Sequence, residues 1–326
     1  MAIDLQQGLT VRTQIKGGPL ARHVHPVGIT RMQLEAAQRL VLLIHGYNTD
    51  LGEAKASYRT LLQNLTKDAE TQLSRTDLFL GFFWPGDLQN RAASMGSYPW
   101  KVSTAIDAGK ILGTWLAQLN EKLQIVIIAH SLGCRVALEA ISQLYAVTLD
   151  ERTKFPPIIS GVSLMAAAVP VRMCRPVGGQ FGKRRKYTSE YVLYSPKDAA
   201  LGVSFFGQKM AGEGGWGSAV GFWGQPKKRW DPRRKNTWLS HGEYFQSETA
   251  SDVVCSLLDY RATRKQEEER PAERYLAKHQ LAANETEYRH LADPLTWICK
   301  CADGTQASPT TENTHLAAGS TQAGAY

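Results

Sequence analysis

The sequence is poor in cysteine. Its five, Cys134, Cys174, Cys255, Cys299 and Cys301, are odd in number and form no paired C-x-x-C. That argues against both a disulfide framework and a structural zinc site. No apolar run reaches the ~20 residues of a membrane span, and residues 1–14 carry no apolar leader, so a soluble, cytoplasmic protein is expected. No internal repeat is present. Excess charge is modest: 38 Lys plus Arg against 30 Asp plus Glu give +8, which favours anionic surfaces without requiring one. Much of the excess sits in Lys183-Arg184-Arg185-Lys186 and in residues 227–235. Both read as solvated loops rather than nucleic-acid contacts, and no nucleic-acid partner is expected.

What is present is a repeated alternation of buried-strand and amphipathic-helix patterns. Residues 39–44 (RLVLLI) form a continuous apolar run that ends in His45-Gly46-Tyr47-Asn48. Residues 51–65 follow with Ala54, Tyr58, Leu61, Leu62 and Leu65 on one helical face. A second strand is read at 78–84 and, after a polar connection over 90–102, a helix at 105–119. Strands at 125–128, 157–166 and 190–194, a helix after residue 133 and a closing helix at 252–260 complete the series. Strand and helix in alternation predict an α/β fold: a mostly parallel central sheet with helices on both faces.

The core of that fold is expected over residues 39–262, with insertions at 167–189 and 200–239. The second insertion is rich in glycine and carries Trp216, Phe222, Trp223 and Trp230, either a lid or a packed loop. Residues 1–38 are an N-terminal segment with one edge strand near 9–15, broken by Gly17-Gly18-Pro19. Residues 263–301 are a charged, helical extension, and 302–326, mostly Ser, Thr, Gly and Ala with little to bury, a disordered tail.

The chemistry-bearing stretch is residues 125–145, IVIIAHSLGCRVALEAISQLY. A β-branched run meets an amphipathic run through Ala129-His130-Ser131-Leu132-Gly133. Small residues two positions either side of a serine are what a strained strand-to-helix turn requires when it presents a nucleophile. The alternative is an ordinary helix cap at Ser131. A serine nucleophile needs a base, and the base needs an orienting carboxylate. Asp198 stands four residues beyond the strand ending at Tyr194, with Asp87, Glu213 and Asp231 as rivals. His241 is the histidine between Asp198 and the closing helix. His130 is expected to point away from the serine proton, His23 and His25 precede the first clear strand, and His279, His290 and His315 lie in the tail. The Leu132 and Tyr47 backbone N–H groups are candidate oxyanion donors. His45 is expected to shape its loop rather than act as a base.

Five motifs, LIHGYNT (43–49), FFWPGD (82–87), IIAHSLG (127–133), SPKDAAL (195–201) and SHGEYF (240–245), together resemble the alpha/beta-hydrolase superfamily. They resemble particularly a bacterial branch with HGYN and AHS-x-G motifs and no assigned substrate. The resemblance spans about residues 39–262. It implies a Ser131, Asp198, His241 triad, an oxyanion hole at Tyr47 and Leu132, and acyl-enzyme hydrolysis of a carboxylic ester or thioester without metal or organic cofactor. Alanine stands at 129 where glycine is usual. A small-molecule ester or lipid-like substrate is the expected partner. Trp216, Phe222, Trp223 and Trp230, near Lys227 and Arg229, add a weak anionic membrane surface, and with it a lipase or phospholipase, as an alternative. A non-catalytic binding protein on the same fold is the remaining one.

Overall fold

The computed structural model describes residues 7–66, 77–87, 94–150, 156–174, 181, 189–202, 219–223 and 233–264. All belong to the unit Met1–Ala282. The expected extension and tail from residue 265 onward, the basic run 183–186, Trp216 and Trp230 lie outside the described residues.

Among the described residues eight strands form one sheet: β1 (Gly8–Arg12), β2 (Leu20–Val27), β3 (Arg39–Ile44), β4 (Asp77–Phe83), β5 (Gln124–His130), β6 (Ile158–Met165), β7 (Glu190–Tyr194) and β8 (Arg233–Asn236). Their spatial order is β2-β1-β4-β3-β5-β6-β7-β8. Only the β1–β2 pair is antiparallel; every other neighbouring pair is parallel. Strands with both faces covered read as unbroken apolar runs, and Leu40 to Ile44 and Ile125 to Ala129 are accordingly fully buried.

Among the described residues four main helices complete the frame: α2 (Leu51–Leu65), α3 (Ser94–Leu116), α4 (Gly133–Asp150) and α5 (Glu248–Arg264), besides the short α1 (Arg31–Ala36) and a single turn at Val220–Trp223. α3 packs along α4, and α2 packs against α5, two pairs that right-handed crossovers put on opposite faces. The start of α2 is set locally. Asp50 accepts from Glu53 N–H at 2.9 Å, and the Glu53 side chain accepts from Asp50 N–H at 3.1 Å, a reciprocal capping box. The helix then buries Ala54, Tyr58, Leu61, Leu62 and Leu65, the face its spacing predicts.

Three differences from the sequence reading, and one choice that it left open, have physical causes. β1 is an inner strand, parallel to β4, because residues 20–27 return as β2 and take the edge. The polar-looking connection 90–102 is helical from Ser94. Tyr98 and Val102 bury there, and Lys101 donates to the Pro85 carbonyl at 2.8 Å, so tertiary contacts outweigh the cost of Pro99 inside the helix. Part of the 200–239 insertion is structural: Ala219 pairs with Pro170, and Gly221 N–H donates to the Ala167 carbonyl. Finally, Arg233–Asn236, within the basic stretch read as a loop, is β8. Arg233 donates to the Tyr191 hydroxyl at 2.7 Å, and exposed charge suits an open sheet edge because it discourages further strand pairing.

β3 lies between β4 and β5, so the connection from β3 to β4 and the next one, from β4 to β5, run in opposite directions along the sheet. Such a reversal opens a crevice at the carboxyl ends of the strands, where ligands bind in open α/β sheets.

Candidate active site

Ser131 follows β5 directly and has φ 54°, a left-handed conformation that non-glycine residues adopt at a cost of ~1–3 kcal/mol. The surroundings enforce it. Ser131 N–H donates to the Met165 carbonyl at 2.9 Å, and the Ser131 carbonyl accepts from Ala168 and Cys134 N–H, each at 3.1 Å. The end of β6 and the residues just past it, which carry no recognisable motif, therefore hold the turn.

The same geometry accounts for the small residues on either side. Ala129 is not among the residues with positive φ. It is fully buried in the sheet between Ile44 and Leu164, so alanine meets the need for smallness there. Gly133 has no such latitude: a Cβ on it would stand 2.3 Å from the His45 carbonyl oxygen.

His241 lies in the turn after β8, with Nε2 2.8 Å from Ser131 Oγ and Nδ1 2.7 Å from Asp198 Oδ2. A carboxylate only accepts, so Nδ1 carries the proton and Nε2 offers its lone pair to the serine hydroxyl. Asp198 is fully buried. Its other oxygen accepts the Leu201 N–H at 3.0 Å, so this aspartate both caps the helical turn after it and orients the histidine. The structure thus joins Ser131, His241 and Asp198, from positions separated by up to 110 residues, in one hydrogen-bonded chain.

The loop after β3 lies against the same serine. A Cβ on Gly46 would come 2.8 Å from Ser131 Cβ and 3.1 Å from His130 Nδ1, which places the backbone leading into Tyr47 beside Ser131. Leu132 N–H belongs to the head of α4, where helix donors lack intrahelical partners. Both candidate oxyanion donors therefore belong to segments that adjoin Ser131.

His45 shapes that loop. Its Nδ1 donates to the Gly46 carbonyl at 2.9 Å, and its ring stacks on Trp84 with centroids 5.7 Å apart. Trp84 Nε1–H in turn donates to the His45 carbonyl at 2.9 Å. Burial, reinforced by the Arg12 charge, lowers the His45 pKa to about 3, so it is a neutral ring wedged in the wall. Its Nε2 is buried without a hydrogen-bond partner.

Asp87, a rival for the acid, is committed elsewhere. Arg12 donates to its Oδ1 at 2.6 Å and Gly17 N–H to its Oδ2 at 3.0 Å, while Arg12 also reaches the Thr49 carbonyl at 3.2 Å. This buried pair clamps the far end of the 45–49 loop. Sequence reading missed it because the partners are 75 residues apart. Glu213 and Asp231 lie outside the described residues. Among the described residues no group of three or more His, Cys, Asp or Glu comes together as a metal site, and no helix is long and apolar enough to cross a membrane.

A family described as alpha/beta hydrolase of unknown function (DUF900) matches residues 26–212. The chain belongs to that family. Its match covers β3 to β7 with the Ser131 turn and Asp198, and stops short of His241. Comparison with curated proteins gives no match. Among solved structures, TT1662 from Thermus thermophilus is 15% identical over 69% of this chain and 90% of its own, at a TM-score of 0.39. Polyneuridine aldehyde esterase is 14% identical over 69% of this chain and 99% of its own, at 0.33. A carboxyl esterase from the mycorrhizal fungus Tuber melanosporum is 13% identical over 69% and 78%, also at 0.33. Likenesses of this size add nothing to the fold and family already established.

Proposed function

We propose that this DUF900 protein is a serine hydrolase that cleaves a carboxylic ester or thioester through an acyl-enzyme on Ser131. The observation that carries the reading is the unbroken chain from Ser131 Oγ to His241 Nε2 at 2.8 Å and from His241 Nδ1 to Asp198 at 2.7 Å. His241 takes the serine proton as Oγ attacks the substrate carbonyl. Asp198 holds the imidazole in the required tautomer and stabilises its charged form. Leu132 and Tyr47 N–H groups meet the oxyanion. His241 then protonates the leaving alcohol or thiol, and water, deprotonated by the same ring, releases the acid. The left-handed Ser131 supports the role, since strain held by surrounding hydrogen bonds concentrates at reacting positions.

Fluorophosphonate labelling is the direct test. Wild type takes up one equivalent at Ser131 and the Ser131→Ala variant none. Failure of wild type to label, or equal labelling of the variant, would sink the assignment and favour a binding protein on this fold.

One observation favours a second reading, hydrolysis at an anionic lipid surface. Trp238, three residues before His241, is 59% exposed with φ 54°, and Lys197 Nζ lies 5.5 Å above its ring. An exposed indole beside a cation suits a headgroup region. Sedimentation with anionic liposomes separates the readings: a hydrolase of dissolved esters stays in the supernatant at every lipid composition.

A further inference from the structure

We infer that His130, the residue before the nucleophile, is a positioning residue that pins the main chain of His241 and so sets the reach of the base to Ser131. This rests on the proposed role of His241 and assigns to the second histidine of the site a task of its own.

His130 Nε2 lies 2.7 Å from the His241 carbonyl oxygen. A carbonyl accepts, so His130 carries its proton on Nε2 and donates it. The ring packs against two aromatic residues just beyond His241: its centroid is 5.7 Å from that of Tyr244 and 5.6 Å from that of Phe245, besides 5.0 Å from His241 itself. Burial first, then the neighbouring His241 charge, lowers the His130 pKa to about 3. A neutral ring keeps its single donor on the carbonyl and adds no positive charge beside an imidazole that must become positive.

The turn bearing His241 needs such a tie. Residues 237 and 244 are anchored, Thr237 N–H to the Tyr194 carbonyl at 2.9 Å and Tyr244 by full burial. Between them the backbone bonds are local. Trp238 N–H donates to Asn236, Leu239 N–H to Thr237 and Ser240 N–H to Glu243. Among the described residues, the bond from His130 is the one that fastens residues 238–242 by their main chain to another element. The same side chain approaches the Gly46 backbone. It is therefore wedged between the base-bearing turn and the oxyanion loop, while covalently joined to the nucleophile.

Two variants separate the hydrogen bond from the packing. His130→Phe fills the volume without a donor. His130→Gln keeps a donor amide of similar reach. A misplacement of about 1 Å costs up to about 100-fold in rate, so His130→Phe should label with fluorophosphonate, and turn over a nitrophenyl ester, about 10- to 100-fold more slowly. Its KM should be unchanged, and His130→Gln should recover most of the loss. In 15N-histidine spectra of wild type, His130 should be neutral with its proton on Nε2, and the His241 Nδ1 proton should exchange with solvent faster in His130→Phe. Equal rates for wild type and His130→Phe, equal losses in both variants, or a His130 proton on Nδ1 would each overturn the proposal. The spectra decide it even if wild type fails to label, a result that strikes the hydrolase assignment instead.

Discussion

Replacing Arg12 with methionine tests the clamp beneath the 45–49 loop. The guanidinium and the Asp87 carboxylate are 3% and 5% exposed and 2.6 Å apart. Burial alone would raise the Asp87 pKa. The Arg12 hydrogen bond, the Gly17 N–H and the Arg12 charge together outweigh it and hold the pKa below 3.8. Wild-type Asp87 therefore contributes stability that is present above its unfolded-state pKa and is lost as pH falls through the lower folded one. In Arg12→Met the main opposition to burial is gone, the folded pKa moves above the unfolded one, and the sign reverses. The variant's deficit is then small where Asp87 is protonated and grows as pH rises through the raised pKa. Stranding a buried charge costs ~3–5 kcal/mol, about 6–20 °C in Tm for a domain of this size. Thermal unfolding at about pH 4.5 and pH 8 reads the effect, with His45, whose pKa is about 3, neutral at both. Adding Asp87→Asn should restore much of the loss at the higher pH, because the amide oxygen still accepts from Gly17 and no charge is stranded. A deficit that does not change with pH, or a double variant less stable than Arg12→Met at pH 8, would refute the reasoning.

Asp198→Asn should lower kcat on a nitrophenyl ester by ~10⁴-fold with the fold intact, since an amide donating to His241 Nδ1 forces the wrong tautomer; a loss under tenfold would contradict the geometry. Gly46→Ala drives a methyl into Ser131 Cβ and His130, and should cost ~1–3 kcal/mol of stability. It should also slow fluorophosphonate labelling far more than a surface Gly242→Ala, whose Cβ meets nothing within 4 Å. Burial raises the Cys134 thiol well above its usual pKa, so mapped alkylation should leave Cys134 unmodified at neutral pH until the protein unfolds.

Much of the fold was legible because its signals are local. β3 and β5 are apolar runs too short to be anything but buried strands between turn residues, and α2 announces itself through Asp50, Glu53 and a one-sided apolar face. The small residues around Ser131 are a local requirement of one tight turn. What the pattern misjudged was decided by partners distant in the chain. β8 has no apolar periodicity, and its strand geometry comes from pairing with β7 and the Arg233–Tyr191 contact. The helical start of α3 draws on Lys101 reaching Pro85.

The sequence by itself determined the strand–helix alternation, the Ser131 turn and the chain order serine, aspartate, histidine, because each depends on residue type and short spacing. Only the tertiary structure decided that the three meet. The parallel sheet lays the carboxyl ends of β5, β7 and β8 along one edge and brings residues 110 apart to 2.8 Å. It also decided what supports them: the Arg12–Asp87 pair beneath the 45–49 loop, Met165 and Ala168 behind Ser131, and His130 under His241. A hydrogen bond across such a separation leaves no periodic trace in the chain, so its donor and acceptor become partners only when the packed core sets them face to face.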